Sequence, residues 1–187
     1  MDEIKQLQDL VKNPPNKYDA RYQAIECIGF NGTSNSIKIW QSIMSAVKSW
    51  KDKKVCDLSC FHGYFLFKAI DAGADPTSSG HDLSPIVLKT TKMINTVRKG
   101  KAKLKVWAAG SDIKLDETPD VIFALNCVHH WKNKKVEAYK KMIANDVIVF
   151  EVNKEDVALI KEMFNVTYST ISLSRPWKRV ILFAKNK

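Results

Sequence analysis

The sequence predicts an α/β fold in which a mostly parallel sheet is closed by an antiparallel hairpin. Three observations carry this. From residue 55 to residue 152, short apolar runs alternate with stretches of helical periodicity, the pattern of a parallel sheet with right-handed crossovers. The C-terminal part differs, with "NVTYSTISL" and "KRVILFAK" split by "SRPW", which reads as a hairpin. Finally, "DLSCFHGY" at residues 57–64 ends an apolar run in a carboxylate and places a glycine six residues later. A nucleotide-binding sheet makes such a turn between its first strand and first helix.

The elements follow in order. Residues 1–17 carry a short Ile4, Leu7, Leu10, Val11 stripe and end in Asn13-Pro14-Pro15-Asn16, so a short helix gives way to a linker. "GFNGTSNS" at 29–36 is turn chemistry in which Ser34 or Asn35 is placed to cap a helix. That helix carries Ile37, Trp40, Ile43, Met44, Val47 and Trp50 at spacings of three and four, so one apolar face is expected. "VCDLSC" is a buried strand, and "GYFLFKAIDAGA" a helix with Phe65, Ala69 and Ala72 on one face and Gly73 at its C-terminal end. The second strand falls near Ser78 to His81, where apolar content is poor. Pro85 to Lys99 is helical, with Ser84 as N-cap and Pro85 at the first position. "AKLKVWAAG", "DVIFALNCV" and "DVIVFEV" are strands, with a helix at "NKKVEAYKKMIA" and another near 154–164. Residues 1–50 read as an N-terminal helical extension and 51–187 as the main domain, compact enough to form one unit.

Composition bounds the function. A chain of 187 residues buries a core without metal or disulfide staples. Cys27, Cys56, Cys60 and Cys127 show no CxxC spacing, and three lie in or beside apolar runs, as reduced core cysteines do. A reducing, cytoplasmic location is expected. No run approaches the roughly 18 apolar residues of a membrane span, and the N-terminus lacks an apolar leader core. Lysine and arginine exceed aspartate and glutamate by 30 to 20, which attracts phosphate-rich partners if the charge gathers on one face.

Ligands of open parallel sheets lie beyond the carboxyl ends of the strands. Those loops hold Asp57 to Gly63, Asp82, Gly110-Ser111-Asp112, and Asn126-Cys127-Val128-His129-His130-Trp131. Asp82 lies 19 residues after Gly63, close to the roughly 20-residue interval at which an acid binds a ribose diol. A nicotinamide dehydrogenase is disfavoured because G-x-G-x-x-G is missing.

"KKVCDLSCFHGYFLFKAIDAGA" resembles the first signature of class I S-adenosylmethionine-dependent methyltransferases, and "SSGHDLSPIVLKTTKMI" is similar to the second. "GSD" and "DVIFALNCVHHW" match the third and fourth in place and type. The resemblance spans residues 53–131, and the hairpin extends it to the C-terminus. It implies a Rossmann-like methyltransferase three-layer sandwich, with a mostly parallel seven-stranded sheet and a C-terminal antiparallel hairpin. It further implies S-adenosylmethionine as cofactor and S-adenosylhomocysteine as product. Asp57 would orient the methionine amino group, and Gly63 with Ser59, Cys60, Phe61 and Tyr64 would admit the methionine moiety. Asp82 would hold the ribose hydroxyls, Leu83 would cover adenine, Asp112 would accept from the adenine amine with Ser111 beside it in the cofactor site, and the Asn126 carbonyl would take the ammonium group. Two positions depart from the family. Ser59 stands where glycine is usual, and a Cβ there costs on the order of 1 kcal/mol if φ is positive. Phe61 fits a subset reading D-x-G-C-N-x-G-Y-F, of which Cys60, Gly63, Tyr64 and Phe65 are kept.

For an acceptor with a proton to lose, His129 and His130 are the candidate bases, the plain alternative being a cap or a packed ring. His62 reads as a solvent residue bonded to backbone. Cys127 reads as a small buried residue, since no Pro-Cys pair accompanies it, and the absence of N-P-P-Y or D-P-P-Y disfavours exocyclic amines. Lys48 to Lys54 and Arg98 to Lys105 cluster at the amino ends of strands, opposite the loops. Lys132, Lys134, Lys135, Arg175, Lys178 and Arg179, with Trp131 and Trp177, are the basic and aromatic residues expected nearer the acceptor. "GFNGTSNSIKIW" is placed to cover the cofactor. A small-molecule acceptor leads. A nucleic acid is the alternative favoured by the charge, and a non-catalytic binding subunit the one favoured by Ser59. No membrane partner is expected.

Overall fold

A computed structural model describes residues 2–13, 22–107, 115, 117–172 and 179–187. The helices are α1 (Glu3–Lys12), α2 (Ser36–Ala46), α3 (Tyr64–Asp71), α4 (Pro85–Val97), α5 (Lys135–Lys141) and α6 (Val157–Met163). The strands are β1 (Val55–Leu58), β2 (Ser79–Asp82), β3 (Lys103–Val106), β4 (Val121–Leu125), β5 (Val147–Asn153), β6 (Phe164–Ile171) and β7 (Arg179–Asn186). They form one seven-stranded sheet in the order β3-β2-β1-β4-β5-β7-β6. The first five pair in parallel, while β7 runs antiparallel to both β5 and β6. The expected parallel sheet and closing hairpin are both present.

The burial pattern explains the layering. Every residue of β1 and β4 is buried, as a parallel strand covered on both faces requires. Alternate side chains feed two cores. Val55, Phe123, Val149 and Ile181 pack with residues of α1, α2 and α3, while Cys56, Ile122, Phe150 and Leu182 pack with those of α5 and α6. The N-terminal segment adds Leu7, Val11, Trp40 and Ile43 to the first cluster. At the sheet edge, β3 leaves Lys103, Lys105 and Val106 exposed; lysines there discourage pairing with another chain.

Helix ends follow their local chemistry. Ser84 caps α4 by accepting from Val87 N–H at 3.2 Å, with Pro85 at the first helical position. Gly73, at φ 109°, follows the end of α3. The apolar face of α2 differs from the expected stripe. Ile39, Trp40 and Ile43 turn inward, while Ile37 and Met44 stay 49% and 41% exposed. Trp40 meets Trp50 with ring centroids 5.2 Å apart, and burying that large ring outweighs burying Ile37 or Met44. Two other expectations are corrected here. Trp131 is 2% exposed and wedged edge-on between Trp107 and Tyr139, so it offers no face to an acceptor. His62 is 1% exposed rather than solvated, because the turn that carries it is covered by the chain. Trp177, Arg175 and Lys178 lie outside the described residues.

At the amino ends of the strands, Lys53 pairs with Asp146 and Lys54 with Glu117, while Arg98 pairs with Asp71. Part of the basic excess is thus locally neutralised, far from the carboxyl-end loops. Among the described residues no helix is long and apolar enough to cross a membrane.

Gly63 joins β1 to α3 at φ 79°, and a Cβ on it would lie 2.7 Å from the Phe67 ring and 3.1 Å from Thr91. Gly63→Ala is expected to lower stability by about 1–3 kcal/mol through left-handed strain and overpacking. A lowered urea midpoint with an unchanged slope is the readout.

Candidate active site

The turn after β1 is built from residues in an uncommon backbone region. Ser59, Phe61 and Gly63 have φ of 62°, 52° and 79°. Left-handed conformation costs a non-glycine residue on the order of 1–2 kcal/mol, so the surroundings must hold the turn. Three contacts do so. Cys60 N–H donates to His81 O at 2.8 Å, Phe61 N–H to Asp82 Oδ2 at 2.9 Å, and the Thr91 hydroxyl to Phe61 O at 2.6 Å. Gly80 lies directly under Cys60, and a Cβ there would come within 2.9 Å of the sulfur.

Asp82 closes β2 and ties two turns together, since its other oxygen accepts from Ser84 N–H at 3.0 Å. Leu83, beside it, is exposed. Across the sheet, Asn126 follows β4 at φ 54° and donates its backbone N–H to Glu151 O at 3.1 Å. Its side-chain Nδ2 donates to the Tyr22 hydroxyl at 2.8 Å, while Oδ1 is buried with no partner among the described residues. Tyr22 is held by Thr33 and Ser34 N–H groups on its carbonyl. Its ring meets Phe61 edge-on at 5.7 Å. Gln23, fully covered, accepts from Tyr64 N–H at 3.2 Å and so satisfies one of the free amides at the start of α3.

These groups enclose a cavity of about 350 Å³. Ser59, Phe61, Asp82 and Leu83 line one end; Leu125, Asn126, His130 and Glu151 line the other; Tyr22, Gln23, Ser34 and Ser36 wall it from the N-terminal side. The expected covering segment "GFNGTSNSIKIW" thus supplies Ser34, Ser36 and Ile39 to the wall. Asp57, Cys60, Gly63 and Tyr64 lie beneath or behind the turn rather than on the cavity surface. Ser111 and Asp112 fall outside the described residues. Sequence reading missed Tyr22, Gln23 and Glu151. For Glu151 a signal existed: a lone acid inside the apolar run "VIVFEV". Tyr22 and Gln23 precede a turn with no periodic pattern, and only tertiary packing brings them here.

Burial sets the titration of the site. Asp57 is held well above the usual carboxylate range by burial first, with the Asp82 charge adding to it. Its Oδ2 has no partner among the described residues. Tyr22 is raised by burial and by the Glu151 carboxylate. The Cys127 thiol is pushed up by burial, which keeps it inert at neutral pH. His129 and His130 stack at 3.9 Å, but His130 faces the cavity. Burial, with the neighbouring His130 and Arg179 charges, lowers His129 to about 4. A base so weak is poorly matched to neutral pH, which leaves His130 as the better placed imidazole.

No family model and no curated protein matches this sequence. Solved structures do match its fold. The 16S rRNA methyltransferase RmtF, crystallised with S-adenosyl-L-homocysteine, aligns with 99% of this chain and 76% of its own at TM-score 0.67 and 12% identity. An S-adenosylmethionine-dependent methyltransferase of Clostridium acetobutylicum aligns with 81% and 90%, at TM-score 0.65 and 10% identity. This is the class I methyltransferase fold. Magnesium protoporphyrin IX methyltransferase of Synechocystis PCC 6803, also crystallised with the demethylated cofactor, shares it over 81% of both chains at TM-score 0.60 and 12% identity. In the methyltransferase fold of the present chain, the cavity lies where β1 sends its neighbours to opposite sides, the switch point at which such sheets bind ligands.

The depressed His129 has a pH consequence. Its folded-state value lies below the ordinary 6.5, so the unfolded chain takes up a proton that the folded one refuses. Stability is therefore complete above about pH 6.5 and is lost as pH falls toward about 4. Because solvent reaches this half-buried ring, the loss is expected to be about 1 kcal/mol. Between pH 7 and pH 4.5 the urea midpoint of the wild type should therefore fall further than that of His129→Gln.

Proposed function

We propose that the protein is an S-adenosylmethionine-dependent methyltransferase acting on a small-molecule acceptor. The observation that carries the reading is the placement of Asp82 and Asn126 at opposite ends of one cavity across the β1–β4 switch point, with an unpartnered buried oxygen on Asn126. The donor set fits the cofactor. Asp82 retains acceptor capacity beyond its two backbone donors, as a carboxylate has about four lone-pair sites, and suits a ribose diol. Leu83 offers an exposed apolar side chain to adenine. The Asn126 carbonyl is the acceptor that the resemblance assigns to the ammonium group. Ser59 itself lines the cavity. When bound, S-adenosylmethionine supplies an electrophilic methyl group. The chain's own contribution is to orient the acceptor and exclude water. His130, at the cavity surface, is the group to take a proton from the acceptor.

A cavity walled by Tyr22 and the Ser34–Ser36 loop favours a small acceptor over a duplex or long strand. The net charge of +10 favours a second reading, a nucleic-acid acceptor, although the basic residues paired at the amino ends of the strands stand away from the site.

Calorimetric titration tests the proposal. S-adenosylhomocysteine is expected to bind the wild type with micromolar affinity, and Asp82→Ala to weaken it by about 2 kcal/mol, roughly thirtyfold. Asp82→Asn, which keeps an acceptor oxygen, should lose less. Absence of binding to a folded wild type at millimolar ligand would overturn the reading in favour of a non-catalytic relic. Salt-sensitive binding of single-stranded RNA to the cofactor-loaded protein would transfer it to the nucleic-acid reading.

A further inference from the structure

One buried polar group of the cavity is unused by the cofactor contacts above. Glu151 is 2% exposed and lines the cavity at the carboxyl half of β5. It pairs with Leu125 on one side and Ile181 on the other, on the face that carries Val149 into the first core. Period-two patterning calls for an apolar side chain there. Ser172 donates its hydroxyl to Glu151 Oε1. Among the described residues no lysine or arginine forms an ion pair with it. Arg179 stands nearby but outside the cavity lining, its Nε donating to Asn153 Oδ1 at 3.4 Å.

Burying a carboxylate with one hydroxyl donor is costly unless something completes its hydrogen bonds. The neighbours define what that is. Asn126, on the same stretch of the lining, donates its Nδ2 to the Tyr22 hydroxyl at 2.8 Å and not to Glu151. Glu151 thus lines the same end of the cavity as Asn126, with the Tyr22 side chain beside it. Rings beside a carboxylate suit a cation carried on an apolar body.

We infer that Glu151 is a specificity-determining residue that recognises an amine on the acceptor, the acceptor being a small aromatic or alkyl amine. The acceptor role rests on the methyl-transfer reading, but the recognition itself does not. Glu151 holds the amine as a handle and thereby orients the molecule within the cavity.

Phenethylamine and phenethyl alcohol, alike except for the amine, are the probes. Each is titrated near neutral pH into the wild type and into Glu151→Gln, with and without S-adenosylhomocysteine. Glutamine keeps the shape and the acceptor for Ser172, and a thermal melt confirms that the variant is folded. The wild type is expected to bind the amine at least about tenfold more tightly than the alcohol, as a charged hydrogen bond affords. Glu151→Gln should erase that preference and keep its affinity for S-adenosylhomocysteine within about threefold. Equal binding of the two probes, or binding of neither, would overturn the inference. So would a loss of S-adenosylhomocysteine affinity of about tenfold or more in Glu151→Gln, because the carboxylate would then serve the cofactor's ammonium group. Discrimination for the amine in a wild type that binds no S-adenosylhomocysteine would support the amine site while removing the methyl-transfer reading.

Discussion

The Asp82 carboxylate is the tie on which the site depends. One oxygen takes the Phe61 amide and the other the Ser84 amide, so a single side chain fixes the left-handed turn after β1 and the start of α4. Without the first of these bonds, Phe61 would lose one of the contacts that hold it at positive φ. Asp82 itself stays in place because β2 pairs on both sides, with β1 and β3. Sheet pairing, the turn and the cavity are thus one mechanical chain.

The N-terminal segment completes what the sheet begins. A parallel sheet alone offers an open crevice; here Tyr22 and Gln23 reach from Phe61 and Tyr64 across to Asn126. Gly32 makes this possible, since any Cβ there would fall 2.5 Å from the Gln23 carbonyl carbon. The same segment is anchored in the main core through Trp40 and Ile43 of α2, and the roof is therefore as firmly based as the floor.

Much of this was legible in the sequence. Alternating periodicities revealed the sheet, and the Ser84-Pro85 pair marked the start of α4 to the residue. The carboxylates at strand ends were legible because ligand loops in such folds sit in known places along the chain. The orientation of α2 was not legible, because Ile37 and Trp40 fit the same helical spacing and only packing against Trp50 decides between them. Tyr22 and Gln23 were hidden for a related reason: their contacts with residues such as Asn126 span most of the fold and leave no local pattern. His62 was misread because a histidine in a polar turn looks solvated until the rest of the chain covers it.

The double attachment of Asp82 also bears on how such a chain would decay over generations. Selection for a folded protein alone would preserve this aspartate, since replacing it releases two backbone amides whatever the cavity holds. Asn126 Oδ1 and the buried carboxylate of Glu151 enjoy no such shelter. In a lineage that had ceased to use the cavity, drift would erase those two first and leave Asp82 standing. Glu151 and Asn126, more than the family's signature acid, are the positions at which continued use would leave its record.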